Sequence, residues 1–183
     1  MDRWPGLLIA VVIVGVAVWL MVRSWKRRTT RDERLSSYPL PSPLGSPTLE
    51  AEVLYVATTP TGEPLERLAV QGLAFRGVAR IEVGPEGMVL RVAGEQPSFL
   101  PADRIVSAGE ASYAIDRGVE PEGLVAVTWI ANVADPEQAS PHVDSYLRAR
   151  YPGDSARIIA AVNDIAAARA ASRPEKESEA SDD

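Results

Sequence analysis

Apolar and charged positions divide the chain into one long apolar segment and a region of short alternating runs. From Trp4 to Val22 no residue is charged, and apolar side chains cover every side of a helix instead of one face. At roughly 1.5 Å per residue this helix is about 28 Å long, close to the ~30 Å hydrocarbon core of a bilayer. A buried strand is the alternative, but strands are much shorter. The pattern predicts a transmembrane helix over 4–22 in contact with the lipid bilayer, after a short outside N-terminus of residues 1–3.

The basic residues around this segment predict its orientation. Only Arg3 precedes it, whereas six basic residues follow it before residue 35, and cytoplasmic flanks are enriched in Lys and Arg. A cleaved signal peptide would show the reverse charge order and small residues after the apolar run. We therefore expect an uncleaved, single-pass anchor in the plasma (inner) membrane, with the N-terminus outside and the C-terminal domain in the cytoplasm.

Aromatic and basic residues near both ends of the span are expected at the membrane–water interface. Indole rings prefer the headgroup level, and each Lys or Arg near an anionic leaflet contributes about 1 kcal/mol. Stop-transfer and topology account for the basic juxtamembrane stretch, residues 23–34, so we expect it to contact anionic headgroups non-specifically rather than recognise one lipid. The predicted interface residues are Trp4, Trp19, Arg23, Trp25, Lys26, Arg27 and Arg28.

Beyond the basic stretch the chain first becomes rich in proline, and its net charge becomes negative. Residues 35–49 hold four prolines among serines, which predicts a semi-extended, Pro-rich linker. Residues 1–34 carry seven basic and three acidic side chains, whereas residues 35–183 carry 12 basic and 22 acidic ones. An acidic domain repels phosphate-rich partners, so no nucleic acid partner is expected.

Residues 50–171 are predicted to form one cytoplasmic, mainly-β domain. Short alternating runs separated by turn residues predict a small sandwich or barrel. A change to helical spacing after Pro152-Gly153 predicts one amphipathic helix to about Ala171, capped by Asp154 or Ser155. The acidic tail, residues 172–183, is predicted to be disordered. The predicted strands cover residues 52–58, 78–83, 88–92, 104–108, 112–116, 124–130 and 143–148.

Candidate chemistry is sparse. The chain has no cysteine and a single histidine, His142, on a polar loop. It contains none of the glycine-rich phosphate loops, nucleophile elbows or zinc-binding helices that carry common activities. Adjacent carboxylates such as Glu120 and Glu122 lack the alternating ligands of a calcium loop. We expect no catalytic residue, no cofactor and no metal site.

Five short segments carry a resemblance to a known family: residues 73–77, 86–91, 99–102, 124–129 and 143–148, of which the fourth ends in Thr128-Trp129. In this order and spacing the chain resembles actinobacterial single-pass membrane proteins with a pleckstrin-homology-like (PH-like) domain, often labelled export, transporter or membrane proteins. The resemblance implies a small β-barrel of about seven antiparallel strands, capped by one C-terminal α-helix. Phosphoinositide-binding members use Lys and Arg in the loop after the first strand. Here that loop, Thr59 to Leu65, has no basic residue, so phosphoinositide binding is not expected.

These observations favour a non-enzymatic, membrane-tethered interaction module that docks an unknown protein partner at the plasma membrane. An exposed strand edge is a candidate surface for that partner. The alternative is an accessory subunit of a transporter or secretion complex that contacts the complex through its transmembrane helix, where Gly6, Ala10 and Gly15 would then matter.

Overall fold

The structure is a computed structural model in which residues 12–23, 35–114, 117–118, 123–135 and 138–172 are described. Residues 12–23 form a helix, called here α1, and all of them are exposed. Residues 4–11 of the predicted span lie outside the described residues. Within the described ranges, no helix combines the length and the apolar character needed to cross a membrane.

Eleven strands are described, and most of them belong to one antiparallel sheet. Its seven strands are hydrogen-bonded in the order β5-β4-β3-β2-β11-β9-β6. The pairs β1–β10 and β7–β8 each form a separate two-stranded ribbon. The strands are β1 (Leu35–Ser36), β2 (Leu49–Pro60), β3 (Gly77–Gly84), β4 (Gly87–Val92), β5 (Ser98–Pro101), β6 (Ile105–Ala111), β7 (Tyr113–Ala114), β8 (Arg117–Gly118), β9 (Leu124–Ile130), β10 (Asn132–Val133) and β11 (His142–Ala149).

The prediction of a closed barrel is wrong in the described part of the chain. The end strands β5 and β6 are not hydrogen-bonded to each other. Other segments satisfy the outer backbone groups of these strands. On β5, Phe99 accepts a hydrogen bond from the Tyr38 amide, and on β6, Ala108 is bonded by the side chain of Asn163. Each edge strand is hydrogen-bonded to another segment of the chain at one position. The sheet is therefore open, but its edges are partly protected.

One face of the sheet carries the apolar core. Along β3 the alternating residues Ala79, Ile81 and Val83 are buried, as expected for a strand with one face covered, and Leu90 and Val92 of β4 join the same core. Trp129, which the sequence places on a buried central strand, is fully buried, and it lies opposite Val143 of β11. The other face of the sheet, called here the outer face, buries a smaller apolar cluster around Leu124 and Tyr146 and exposes many of its other positions to solvent.

The C-terminal helix α2 (Asp154–Ala171) covers one end of this core and packs mainly on β6. Ile158 and Val162 are buried, and Ile159, Ile165 and Ala166 are partly buried against the core, which confirms the predicted amphipathic helix. The predicted side-chain cap is wrong. Gly153 occupies the N-cap position at φ +85°, no side chain caps the helix, and Asp154 instead pairs with a residue one turn later.

The start of the predicted linker, residues 35–49, lies inside the folded domain. Leu35 is buried in the core, and β1 pairs with β10. Tyr38 then bonds to β5, and burial raises the pKa of its hydroxyl above the ordinary value. The two ends of the segment are therefore fixed to the domain, because Leu35 and Leu49 join the core, and the four prolines lie in the more exposed stretch between them.

Several predicted strands are confirmed, and four strands of the structure were not predicted. Strand β9 has the predicted bounds, and the turn from Gly84 to Gly87 joins β3 to β4 as a hairpin. The sequence pattern missed β1, β5, β8 and β10, all of which are two to four residues long. Two further predictions fall mostly outside the described residues. These are the basic stretch, at residues 24–34, and the acidic tail, at residues 173–183.

Candidate functional site

Two of the seven predicted interface residues fall in the described part of α1. The guanidinium carbon of Arg23 lies 5.7 Å from the centroid of the Trp19 ring, within the range of a cation–π contact. Trp4, Trp25, Lys26, Arg27 and Arg28 lie outside the described residues. Trp19 is 61% exposed and Met21 is 74% exposed, so these apolar side chains are not covered by the described domain.

A groove of about 800 Å³ runs between α2 and the sheet, and it is called here the α2 groove. Leu49 at the start of β2 is buried beneath it, and Ile165 of α2 is partly buried at its side. Its apolar walls are Leu49, Pro85, Ala161, Ile165 and Ala168, and charged residues at its margin are Arg157, Asp164 and Arg169. An apolar floor with a few charged groups is the usual composition of a surface that binds a peptide or small ligand.

The last turns of α2 are open on their second side as well. A smaller cavity of about 320 Å³ lies between these turns and Ala102, Asp103 and Ile105. Arg169 and Ser172 line both this cavity and the α2 groove. The helix is thus held on the sheet by its first half, while its second half projects between two depressions.

The free edge of β6 is covered where α2 crosses it. The Asn163 side chain accepts a hydrogen bond from the Ala108 amide at 2.8 Å and donates one to the Ala108 carbonyl at 2.9 Å. These are the two bonds that an added peptide strand would make with the same residue. The strand edge favoured by the sequence is therefore occupied at this point, which leaves the α2 groove as the better-formed partner surface.

The loop between β2 and β3, residues 61–76, closes the end of the sheet opposite α2. Leu68, Val70 and Leu73 of this loop are buried in the core. The loop is longer than the predicted segment from Thr59 to Leu65, and it contains two arginines beyond Leu65. Nη2 of Arg67 donates to the Val56 carbonyl at 3.1 Å, whereas Arg76 is exposed.

A chain of buried hydrogen bonds connects this loop to the core. Trp129 Nε1 donates to Ser145 Oγ at 2.9 Å, and Ser145 Oγ lies 2.8 Å from Thr58 Oγ1. Tyr55 Oη lies 2.9 Å from Thr58 Oγ1 and donates to the Leu73 carbonyl at 2.8 Å. Burial raises the pKa of Tyr55 to about 12. Each hydroxyl has a partner, so the chain fixes the loop and presents no free nucleophile.

A β-bulge makes this hydrogen-bond chain possible. In β2, Tyr55 pairs with Leu147 and Ala57 pairs with Tyr146, which leaves Val56 without a partner on β11. In a regular strand, residues three apart point to opposite faces. The extra residue brings Tyr55 and Thr58 to the same side, where their hydroxyls meet. Sequence reasoning missed the bulge because alternation continues on either side of it.

Asp144 is the one acidic residue in the described part of the chain that counts as buried. Its Oδ1 accepts hydrogen bonds from Thr128 Oγ1 at 2.7 Å and from Thr61 Oγ1 at 3.0 Å. His142, two residues earlier, is exposed. Across the described ranges, no three His, Cys, Asp or Glu side chains converge to hold a metal ion. Asp144 therefore ties the start of the β2–β3 loop to β9.

The outer face of the sheet carries two kinds of surface. Along β2, β3 and β4, charged side chains pair across strands. Arg91 Nε donates to Glu82 Oε1 at 2.9 Å, and this hydrogen bond raises the pKa of the Arg91 guanidinium. Where β3 begins, the surface becomes apolar: Phe75 is 70% exposed and Val78 is 58% exposed.

Comparisons with known proteins address the domain rather than α1. The family model described as bacterial PH domain-like matches residues 35–163. The match starts at β1 and ends at Asn163, so it includes the seven-stranded sheet and about the first half of α2. No curated protein matches the chain.

Proposed function

The chain belongs to the bacterial PH domain-like family, and we propose that it is a non-enzymatic interaction module held at the cytoplasmic face of the plasma membrane. Domains of this kind are typically binding modules without catalytic activity. The resemblance found in the sequence is confirmed for the PH-like domain. Its actinobacterial, membrane-anchored character and the export or transporter labels of similar proteins stay predictions.

The α2 groove is the observation that carries the binding role. It is open to solvent, its floor is apolar, and Arg169 at its margin makes no ion pair within the described part of the chain. The partner that fits is a protein segment with apolar side chains for the floor and an acidic side chain for Arg169. Burying the apolar walls of the groove would contribute roughly 25 cal/mol per Å².

The apolar sequence of α1 supports the tether. Its described residues 12–23 are all exposed, and exposed apolar helices are unstable in water. The uncharged run continues from residue 12 back to Trp4, which gives the segment the length of a bilayer core. The basic residues that follow predict that the folded domain lies on the cytoplasmic side.

Some domains of similar fold bind phosphoinositides, but we do not propose this function for the present chain. Buried apolar side chains fill the end of the sheet where the β2–β3 loop lies, and Arg67 is bonded to a backbone carbonyl there. Headgroup recognition requires several cationic groups converging on phosphates. The expected partner is accordingly a protein.

Site-specific photocrosslinking from the full chain in native membranes tests the binding role. A photoreactive residue at Ala168, inside the α2 groove, is expected to give a discrete adduct with another protein. The matched control is the same group at Val106, which is exposed on β6 and outside the groove. Equal adducts at both positions, or none at Ala168, would contradict the assignment of the groove. Fractionation of the same cells tests the tether, which requires the chain in the membrane pellet.

The exposure of α1 favours one alternative, an accessory subunit that contacts a transporter or secretion complex through this helix. Replacing α1 by an unrelated transmembrane segment separates the two functions. Retained Ala168 crosslinking after the exchange supports the tethered module. Loss of crosslinking while the chain stays in the membrane supports the subunit.

A further inference from the structure

Residues 173–183, which lie outside the described residues, continue the chain from the rim of the α2 groove. Helix α2 ends at Ala171, and its C-cap Ser172 lines both the α2 groove and the smaller cavity on the other side of the helix. These eleven residues, called here the C-terminal segment, therefore start directly beside the proposed partner surface.

The C-terminal segment is long enough to reach every part of the groove. The residues of α2 that line the groove run from Arg157 to Ser172, which corresponds to about 23 Å along the helix axis. Eleven residues span at most about 40 Å when they are fully extended. The segment can therefore turn back and follow the whole length of the groove without unwinding α2.

The charges of the segment and of the groove are complementary. Two of the three charged side chains at the margin of the groove are arginines, Arg157 and Arg169, and the third is Asp164. Arg157 is paired with Asp154, whereas Arg169 makes no ion pair with any residue that the structure describes. Arg169 lies one turn before Ser172, so it is the cation nearest to the start of the segment. The segment has two basic and five acidic side chains, and the acidic ones are Glu175, Glu177, Glu179, Asp182 and Asp183.

Much of the remaining domain surface repels the segment. Residues 35–172 carry 17 acidic and 10 basic side chains. A surface with this excess of negative charge repels an acidic segment within about one Debye length, ~8 Å at physiological ionic strength. On the sheet, Arg80, Arg91 and Arg150 are already paired with glutamates. The margin of the α2 groove is therefore a favourable place for carboxylates that are attached to Ser172.

We propose that the C-terminal segment folds back into the α2 groove, where its carboxylates bind Arg169 and compete with the acidic side chain of the protein partner. This inference rests on the proposed function, because it assigns a competitor to the same groove. Covalent attachment keeps the segment at an effective concentration in the millimolar range, so weak ion pairs suffice. The predicted disorder of the tail is compatible with this contact, because several carboxylates can pair with Arg169 in turn.

The composition of the segment limits it to the charged margin of the groove. Its only apolar residues are Pro174 and Ala180, which are too small and too few to cover Leu49 and Ile165. A partner with large apolar side chains gains the burial of this floor, which the segment does not provide. The segment is therefore expected to raise the affinity that a partner needs, rather than to close the groove permanently.

A distance between two spin labels tests whether the segment lies in the groove. The chain has no cysteine, so labels attach only at introduced ones. Ala160→Cys, exposed at the margin of the groove, is combined with Ser178→Cys in the full chain in detergent. Positions 160 and 172 are about 18 Å apart along α2. A segment that folds back brings position 178 closer to position 160 than this, whereas a larger distance would overturn the inference.

Charge variants of the doubly labelled chain test the role of Arg169. Arg169→Gln should lower the fraction of short distances about two- to fivefold, because the segment loses its ion pair. The matched control is Arg148→Gln, which removes the same charge from an exposed residue of β11 outside the groove. An equal loss in both variants, or no loss with Arg169→Gln, would show that Arg169 does not bind the segment.

Photocrosslinking from position 168 in native membranes tests the competition. In the triple variant Glu175→Gln, Glu177→Gln and Glu179→Gln, the yield of the adduct with the partner should rise about two- to fivefold. The matched control is the triple variant Glu175→Asp, Glu177→Asp and Glu179→Asp. It keeps the three negative charges and should leave the yield unchanged.

The outcomes of the two experiments separate this inference from the proposed function. An adduct of equal yield in the wild type and both triple variants would mean that the segment does not compete, and the groove would remain the partner surface. If no chain gives an adduct although the spin labels are close, the proposed partner surface is wrong. The competition is then wrong as well, and only the contact between the segment and Arg169 stands.

Discussion

The side-chain amide of Asn163 makes both backbone hydrogen bonds of a strand neighbour with Ala108. Oδ1 accepts from the Ala108 amide at 2.8 Å, and Nδ2 donates to the Ala108 carbonyl at 2.9 Å. A helical residue thus ends the sheet at the edge of β6 and fixes the position of α2 along it. Because α2 forms one wall of the α2 groove, this pair also sets the shape of the proposed partner surface.

Replacing Asn163 by Ala should destabilise the domain by about 1–3 kcal/mol, because two partly buried backbone groups of Ala108 lose their partners. The measurement is thermal unfolding of the full chain in detergent, followed by circular dichroism. The control is Asp164→Ala, the neighbouring exposed residue, which makes no hydrogen bond to the sheet. An equal, small effect of both variants would show that Asn163 does not hold the helix.

Asn163 also shows what the sequence could and could not predict. Helical spacing predicts that Ile158 and Val162 face the core, which the structure confirms. The same spacing places Asn163 off this apolar stripe, although its side chain lies against β6. The partner of Asn163 lies 55 residues earlier, and no local pattern connects a polar helical residue to one strand edge. Periodicity predicts which side of an element is covered, but not which distant backbone group its polar residues meet.

The same reasoning explains the errors over residues 35–49 and in the closure of the sheet. Prolines and serines outnumber apolar residues in this segment, so composition favoured a spacer. Two buried side chains, Leu35 and Leu49, together with a backbone hydrogen bond from Tyr38, were enough to place the ends of the segment on the domain. Such contacts depend on edges that exist only after the sheet has formed.

Tyr55→Phe should make the stability of the domain less sensitive to alkaline pH. Burial raises the pKa of Tyr55 from 10.0 to about 12, so the folded state favours the protonated hydroxyl. Its contribution is fully present below pH 10, the unfolded value, and is lost as pH rises through about 12. Two pKa units correspond to about 2–3 kcal/mol. Thermal midpoints of the full chain, measured from pH 9 to pH 12, should fall more for the wild type than for the variant.

A matched control for this titration is Tyr151→Phe. Tyr151 is 54% exposed, and removing its hydroxyl should leave the alkaline slope unchanged. Below pH 10, Tyr55→Phe should also lower stability by about 1–3 kcal/mol, since the Leu73 carbonyl loses its donor. If both variants follow the wild-type curve, Tyr55 does not hold the β2–β3 loop.

Ser145 and Trp129 should be energetically coupled. Ser145→Ala leaves the buried Trp129 Nε1 without an acceptor and should cost about 1–3 kcal/mol. Trp129→Phe removes the donor and leaves a cavity, with a larger cost. In the double variant no unpaired donor remains, so the combined loss should be smaller than the sum of the single losses. Chemical unfolding of the three variants in detergent gives this coupling, and strict additivity would show that the bond has no net effect.

Gly87 and Gly94 should respond very differently to alanine, although both have positive φ. Gly94, at φ +86°, has no atom within 4 Å of an added Cβ, so Gly94→Ala should cost only about 1–2 kcal/mol of backbone strain. At Gly87, with φ +149°, the Cβ would meet the Leu100 carbonyl and lie 2.9 Å from Pro101 Cα, both on the paired strand β5. Backbone strain and overpacking then add, which predicts a loss of at least about 3 kcal/mol and a weakened β5. Thermal unfolding compares the two variants, and hydrogen exchange at Leu100 reports on the β4–β5 ladder. Similar losses at both positions would mean that β5 moves aside freely, and that the edge of the sheet next to Tyr38 is not held in place by β4.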